Sequence, residues 1–287
     1  MRALIPPFGV ESVGSMALNL VFPKELGDDA QRGDMDSVCA WLDSGGSVDA
    51  QEADGAGFTL LNCCAFGSLQ DQEIREEQLA LARVLVARGA NVNLATRSVG
   101  ALGAYKSCYP LHFACSNLTD CSPAMVSLLL AAGALVNARC ADPGVGDEDL
   151  YTPLAWVLKF HNTDPQQESS VRICLDIVTM LLRAGASLDA CGAGGGNVTA
   201  ETMWYASSYH VSEDDEHWVA VKALLDGVRA AGSYKRYMRT PHRDVLAVRG
   251  LAQRGKLSTS DPVLNFLARL GDNGVVWHVL EYWRATN

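Results

Sequence analysis

The sequence predicts an all-α fold, in which helix pairs stack into a solenoid with hairpin fingers between them and C-terminal helices close the array. Two observations predict it. A leucine-rich segment that ends on a glycine occurs four times, and each time Val or Leu and then Asp or Asn follow. Polar or glycine-rich insertions, of the kind tolerated in surface loops, separate these segments. Such recurrence is typical of units that bury their apolar faces by stacking on one another.

The ends of the recurring segments indicate where one helix of each unit stops. They read DSGGSVDA, ARGANVNLA, AAGALVNARC and RAGASLDAC, and the apolar runs before them are VCAWL, LARVLV, MVSLLL and IVTMLL. A glycine directly after such a run is typical of a helix C-cap, because glycine adopts left-handed backbone angles without a steric penalty. The matching glycines are Gly45, Gly89, Gly133 and Gly185.

The beginnings of the units resemble a known family. The stretches FTLLNCCA, YPLHFAC, YTPLAWVL and ETMWYAS each place an apolar residue at the third letter of the motif T-P-L-H-x-A. That motif, followed by L-L-L-x-x-G-A-x-V-N, is the signature of ankyrin repeats, and YPLHFAC…VSLLLAAGALVNA is its best match here. The resemblance implies a structural role for the motif positions. These are Leu61, Pro110, Leu111, His112, Thr152, Pro153 and Leu154.

Spacing supports the resemblance but also shows where the chain departs from it. The family pattern places the signature leucine about 19 positions before the glycine. The spacing is 19 from Leu26 to Gly45, 22 from Leu111 to Gly133, 28 from Leu61 to Gly89, and 31 from Leu154 to Gly185. The units run 44 to 52 residues from glycine to glycine, against ~33 in the family. The resemblance covers Leu26 to about Gly232 as five units, with the first and fifth degenerate.

The predicted domain organisation has three parts. Residues 1–25 form an N-terminal cap or lead-in, residues 26–233 the array, and residues 234–287 a C-terminal helical capping module. Asp261 is expected to cap a helix with Pro262 at its first position, because these residue types suit those positions. Helix pairs after ankyrin arrays act as caps or, in some family members, as adaptor boxes for ubiquitin ligases.

The stretch SCYPLHFAC raises the question of a thiolate–imidazole pair or a metal site at His112. The odd number of nine cysteines and their irregular spacing argue against a disulfide framework and leave the cysteines free, and they lack the paired spacing of a structural zinc site. In ankyrin repeats this histidine bonds backbone between neighbouring units. Asn62 and Ala155 occupy the equivalent positions in other units, so no shared ligand or catalytic role recurs. His112 is therefore predicted to be structural.

Two further stretches resemble binding motifs. CGAGGGN, residues 191–197, lacks the Lys-Ser/Thr of a phosphate-binding loop, and we interpret it as a finger between units. SEDDEH, residues 212–217, lacks the alternating oxygen ligands and central glycine of a calcium loop, so we interpret it as a solvated turn.

Charge is unevenly distributed along the chain. The net charge is −10, yet residues 234–256 hold seven Lys or Arg and one Asp, a local charge of +6, so the rest carries −16. An acidic body argues against general nucleic-acid binding. Contact with nucleic acid through the basic segment is the alternative, because its tyrosines can stack on bases. The preferred interpretation is an amphipathic helix, with Val245, Leu246, Val248 and Leu251 packed on the last unit and the basic residues in water.

The function predicted from these patterns is a non-catalytic scaffold that binds a protein partner through its concave face and fingers. The alternative is a substrate-recruiting adaptor of a ubiquitin ligase. We expect no cofactor, metal, nucleic-acid or membrane partner. We expect a monomer in the cytoplasm or nucleus. The predicted partner-binding residues are Tyr105, Lys106, Asp147, Glu148, Asp149 and Asn197.

Overall fold

The computed structural model describes most of the predicted array and part of the C-terminal module. The described residues are 20–53, 56–67, 75–97, 107–116, 119–141, 150–160, 168–190 and 216–256, with 258, 260–262 and 265. They are mostly helical, and the predicted all-α fold class is confirmed. Short strands lie between the helices. The number of repeats stays a prediction.

Four helix pairs follow one another in the described part of the chain. The first pair is α1 (Lys24–Arg32) and α2 (Met35–Asp43), and the second is α3 (Leu60–Phe66) and α4 (Glu76–Ala87). The third is α5 (Pro110–Ser116) and α6 (Ser122–Ala131), and the fourth is α7 (Pro153–Phe160) and α8 (Glu168–Arg183). Three helices follow: α9 (Glu216–Ala231), α10 (Tyr234–Tyr237) and α11 (Thr240–Gln253).

The helix pairs stack in two layers. In one layer α1 packs on α3, α3 on α5, and α5 on α7; in the other, α4 packs on α6 and α6 on α8. Within each pair the two helices also pack together. Phe58, Phe66 and Phe113 join the second pair to the third, with ring centroids 5.0 to 5.8 Å apart. The apolar core therefore continues from one pair to the next, as the leucine-rich pattern predicts.

The second helix of each pair ends in the same way. The backbone N–H groups of Gly45, Gly89, Gly133 and Gly185 bond carbonyls three residues earlier, at 3.0 to 3.1 Å. Their φ angles lie between 89° and 100°, the left-handed region that glycine adopts without a Cβ clash. The next amide bonds the carbonyl five residues back in all four cases. This shared geometry explains why a glycine recurs at the position.

Two short strand pairs connect these helices. Strand β1 (Val21–Phe22) runs parallel to β2 (Gln51–Glu52) and joins the chain before α1 to the connection before α3. Strand β3 (Cys140–Ala141) is antiparallel to β4 (Leu150–Tyr151), with Cys140 opposite Tyr151 and Ala141 opposite Leu150.

The described chain divides into two compact units between Lys222 and Ala223, inside α9. In the second unit the Tyr237 ring lies against Gly227, where a Cβ would come within 2.5 Å of it. The basic segment is helical, but the expectation that Leu246 and Leu251 are buried is wrong. They are 40% and 38% exposed, while Arg249 is only 5% exposed. Five positions in a helix span about 140° of rotation, so these leucines lie at opposite margins of one exposed face.

Candidate functional site

The predicted partner-binding residues cannot be placed directly. Tyr105, Lys106, Asp147, Glu148, Asp149 and Asn197 lie outside the described residues, as do the stretches 191–197 and 212–215. The structure does describe where one predicted finger begins and ends. We call residues 141–151, which contain the three consecutive acids, the acidic finger. Strands β3 and β4 hold its two ends side by side.

His112 joins the third helix pair to the end of this finger. It is completely buried, and its Nε2 lies 3.1 Å from the Tyr151 carbonyl oxygen at the finger's C-terminal end. Its Nδ1 accepts the backbone N–H of Tyr109 at 3.2 Å, so Nε2 carries the proton and donates it to Tyr151. Burial lowers the pKa of His112 from 6.5 to about 4. The imidazole is therefore neutral near pH 7, and both of its nitrogens already have partners.

Two aromatic side chains enclose the His112–Tyr151 link. Trp156 meets His112 edge to face at 5.7 Å between ring centroids, and it meets Tyr151 at 6.2 Å in the same way. Tyr151 and Trp156 are each 1% exposed. Because water is excluded here, breaking the hydrogen bond would leave a buried carbonyl and a buried N–H unpaired, which proteins rarely tolerate.

A disulfide between Cys108 and Cys140 fixes the other end of the finger. Both cysteines are completely buried. The bond joins Cys140, the first residue of β3, to Cys108, which lies two positions before α5. The sequence-based expectation of free cysteines is wrong for this pair, because 32 positions separate the two along the chain and only the fold brings them together.

Cys108 also ends the stretch RSVGALGAYKSC, residues 97–108, which contains Tyr105 and Lys106 and which the sequence predicts to be the preceding finger. Its carbonyl accepts the Thr96 N–H at 2.8 Å, and its own N–H donates to Thr96 Oγ1 at 3.0 Å. Thr96 is 4% exposed, so both bonds are shielded from water. Cys108 therefore belongs to the base of two neighbouring fingers.

Sequence reasoning missed the side chains that link the turns of successive pairs. Asn93 donates to the Gly133 carbonyl at 3.0 Å and accepts the Leu135 N–H at 2.8 Å. Asn137 repeats both bonds one unit later, with the Gly185 carbonyl at 3.1 Å and the Ser187 N–H at 2.9 Å. The sequence signal was the Asp or Asn four positions after each recurring glycine.

The motif positions of the sequence analysis lie at the starts of the first helices in the pairs. Thr152 caps α7, because its Oγ1 accepts the Ala155 N–H at 3.3 Å. Thr59 caps α3 in the same way through Asn62. The other motif residues are buried within these helices: Leu61, Pro110, Leu111, Pro153 and Leu154.

The buried thiols are poor nucleophiles. Burial raises the pKa of Cys64 and of Cys115 far above that of a free thiol, and it raises the pKa of Cys174 to about 12. Only the thiolate attacks an electrophile or binds a metal readily. Within the described part of the chain, no group of three His, Cys, Asp or Glu side chains is arranged to hold a metal ion.

Comparison with known families identifies the third helix pair. The ankyrin repeat model matches residues 107–141. The match begins just before α5, continues through α6 and ends in β3, so it contains His112, Gly133 and both cysteines of the disulfide. The chain therefore contains an ankyrin repeat at these residues. A search of the curated proteins gave no match.

Ankyrin repeats are typical protein–protein interaction modules, and this is the functional class that the match supports. Among the described helices, none has both the length and the apolar character that crossing a bilayer requires.

Proposed function

We propose that this ankyrin-repeat protein is a non-catalytic scaffold that binds a protein partner through its concave face and fingers. The acidic finger is the central element of that surface, with Tyr105, Lys106 and Asn197 in the neighbouring fingers. The observation that carries the proposal is the construction of the finger's base. A buried hydrogen bond and a strand pair hold the two ends of a segment that contains three consecutive acids, and neither depends on the oxidation state of Cys108 and Cys140.

A fixed base favours binding for a thermodynamic reason. Ordering a loop when a partner arrives costs conformational entropy, and a loop whose ends are already held loses less. Surface carboxylates contribute little to folding stability, but they accelerate association with a basic surface and make it salt-dependent. We therefore infer that the partner presents Lys or Arg to the acidic finger.

The chemistry of the base supports a scaffold over an enzyme. Both nitrogens of His112 have backbone partners, and burial holds the imidazole neutral. A general base or a nucleophile's partner needs a nitrogen that can reach a substrate or a reacting side chain. The raised pKa values of the buried thiols point the same way.

We also propose that the protein is a monomer in the cytoplasm or nucleus. A stable disulfide is unusual in those reducing compartments, which makes the Cys108–Cys140 pair a direct check. Thiols blocked during cell lysis, followed by intact-mass measurement, will show whether the pair is oxidised. An oxidised pair in the whole cellular pool would contradict the proposed compartment.

The test of function compares two charge-matched variants in the native cell. One replaces Asp147, Glu148 and Asp149 by Ser, and the other replaces Glu213, Asp214 and Asp215 by Ser, which removes the same three charges outside the acidic finger. Proximity labelling with each variant is compared with the unmodified chain. We expect the finger variant to lose a set of labelled proteins that the control variant retains, with the melting temperature of both nearly unchanged.

Identical labelling by both variants would contradict binding through the acidic finger. The ubiquitin-ligase adaptor has no support in the family match, and the tail on which it depends, residues 266–287, lies outside the described residues.

A further inference from the structure

The second compact unit carries a basic surface that the proposed function does not use. Between residues 234 and 256 six Lys and Arg side chains are exposed, and within the described residues none of the six forms an ion pair. They belong to the segment whose local charge is +6 in a chain of net charge −10. A cluster of exposed cations with a single acid, Asp244, among them attracts a negatively charged partner. The six are Lys235, Arg236, Arg239, Arg243, Arg254 and Lys256.

Helix α11 arranges part of this surface as a stripe. Arg243, Ala247, Gly250 and Arg254 follow one another at intervals of four, three and four residues, so they lie along one face of the helix. Arg239, at the helix N-cap, extends the same face. Arg243 and Arg254 lie about 16 Å apart along the axis at 1.5 Å per residue. We call these five residues the arginine stripe.

The centre of the stripe is open to a close approach. Ala247 is exposed and has the smallest side chain after glycine. A Cβ placed on Gly250 would meet only the guanidinium of Arg254, at 3.7 to 4.0 Å, and no backbone. Small residues at such positions allow a second helix to pack near the backbone of the first. The stripe therefore combines two charged ends with a flat middle.

Exposed leucines border the stripe on both sides. Leu246 is 40% exposed and Leu251 is 38% exposed. Removing this apolar surface from water on binding stabilises a complex. The arginines can stay hydrated when unbound, so the apolar contribution to binding comes from the leucines. A ligand that fits the whole surface must bring carboxylates for the arginines and apolar side chains for the leucines.

We propose that the arginine stripe docks an acidic amphipathic helix of a partner protein. Arginine suits this role, because its planar guanidinium binds a carboxylate through two parallel hydrogen bonds. Acidic residues three helical turns apart match the separation of Arg243 and Arg254, and leucines between them cover Leu246 and Leu251. This surface goes beyond the proposed function and does not depend on the acidic finger.

The charge of the rest of the chain favours a short protein segment over a polymer or a membrane. Outside residues 234–256 the chain carries −16, and this negative charge disfavours binding to an extended polyanion such as an RNA strand or to an anionic bilayer. A docked helix of a few turns stays within about one Debye length of the stripe, ~8 Å in physiological salt. Its charges therefore interact mainly with the arginines. The tail of the same chain, residues 266–287, contains two Arg, one Asp and one Glu and offers no such charge complementarity.

The experiment measures fluorescence anisotropy of a labelled 18-residue helical peptide that carries Glu and Leu on one face, added to the full chain. We expect saturable binding that weakens as the salt concentration rises. The double variant Arg239→Glu and Arg243→Glu should bind at least about tenfold more weakly. Its matched control is Arg83→Glu with Arg172→Glu, which changes the net charge equally at two exposed arginines of α4 and α8 and should bind as the unmodified chain does.

A second variant tests the shape of the stripe without changing its charge. Gly250→Leu fills the open centre and should weaken peptide binding at least about fivefold, while circular dichroism shows an intact helix, because leucine favours helix more than glycine does. Equal binding by the unmodified chain and Arg239→Glu/Arg243→Glu would overturn the proposal. Tighter binding of a ten-nucleotide RNA or of phosphatidylserine vesicles than of the peptide, lost in the same variant, would replace it with a nucleic-acid or membrane surface. Binding that appears only after deletion of residues 266–287 would make the tail the occupant.

Discussion

His112 and Asn62 occupy the same position in consecutive helix pairs, and they solve the same packing problem differently. Both are completely buried at the start of the first helix of a pair. His112 spans the distance to the next pair and bonds the Tyr151 carbonyl. Asn62 is shorter, and neither its Oδ1 nor its Nδ2 has a hydrogen-bond partner in the described part of the chain. The same position therefore makes a hydrogen bond between pairs in the third pair, whereas in the second pair its side chain only fills space in the core.

The second pair obtains its polar links elsewhere. Gln78 of α4 donates to the Gln31 carbonyl of α1 at 2.7 Å, and Gln51 donates to the Gly57 and Ala95 carbonyls at 3.0 Å. Apolar packing and the asparagine bonds between turns recur from pair to pair, but the bonds at the positions of His112 and Asn62 do not. The comparison teaches that stacking follows the recurring leucines and asparagines, while the polar link at the start of the first helix is particular to each pair.

Shared packing predicts the largest effect. Leu129 in the third pair and Leu85 in the second lie four positions before their glycines and are completely buried. Either Leu→Ala substitution should lower the free energy of unfolding by ~2–5 kcal/mol, because it leaves a cavity in the core. Chemical denaturation measures this. A loss below about 0.5 kcal/mol at Leu129 would mean that the packing register is wrong.

The Cys108–Cys140 disulfide, the one found among the described residues, belongs to the third pair and predicts the next effect. Closing a loop of 32 residues removes entropy from the unfolded chain, and the chain-entropy model gives a stabilisation of ~3–4 kcal/mol. Reduction with a thiol, or Cys140→Ser, should lower the melting temperature, measured by differential scanning calorimetry. The control is the Cys140→Ser variant treated with the same thiol, whose melting temperature should not change because it has no Cys108–Cys140 bond to reduce. An unchanged melting temperature on reduction of the unmodified chain would contradict a closed disulfide.

The buried imidazole predicts a pH dependence that Asn62 cannot produce. The folded pKa of His112, about 4, lies below the 6.5 of the unfolded chain. Between these values the unfolded state binds the proton and the folded state does not, so stability is lost as the pH falls. From about pH 7.5 to pH 5 this amounts to ~2 kcal/mol. The variant His112→Gln should be less stable at pH 7 and should lose this component, as urea denaturation at several pH values will show.

Asn62 predicts the smallest effect. Its amide makes no bond that a substitution can break, so Asn62→Leu should change the free energy of unfolding by less than about 1 kcal/mol, in either direction. The matched change His112→Leu removes a real bond and strands the buried Tyr151 carbonyl, which costs more. Urea denaturation of the two variants compares them directly. Equal losses would mean that Asn62 also bonds a neighbouring pair.

The sequence predicted the elements that depend on local or periodic signals. The four glycines at left-handed C-caps and the leucine faces follow from residue type and spacing. The Cys108–Cys140 bond did not, because a pair 32 positions apart has no local signature. Nor did the exposure of Leu246 and Leu251. Periodicity shows that α11 is amphipathic, but which margin of its face reaches water depends on what packs against it.

The candidate site was predictable only in part. The acid run was visible in the sequence, and so was the motif histidine, but the geometry that joins them was not. Tyr151 is the last residue of the finger, two positions after the last acid, and nothing in the sequence around it indicates that its carbonyl faces an imidazole 39 positions away. Asn93 and Asn137 lie four positions after a recurring glycine, which the sequence shows. Their hydrogen bonds to the next turn become evident only in the structure, where the turns lie side by side.

The most direct test is an NMR titration of the His112 ring. We propose that this imidazole is a neutral, buried link between two helix pairs that takes no part in chemistry. With isotope-labelled histidine, we expect the Nε2–H tautomer at pH 7 and no protonation until the pH approaches about 4. A pKa of His112 at or above 6.5, an Nδ1–H tautomer, or a shift on addition of zinc would contradict it.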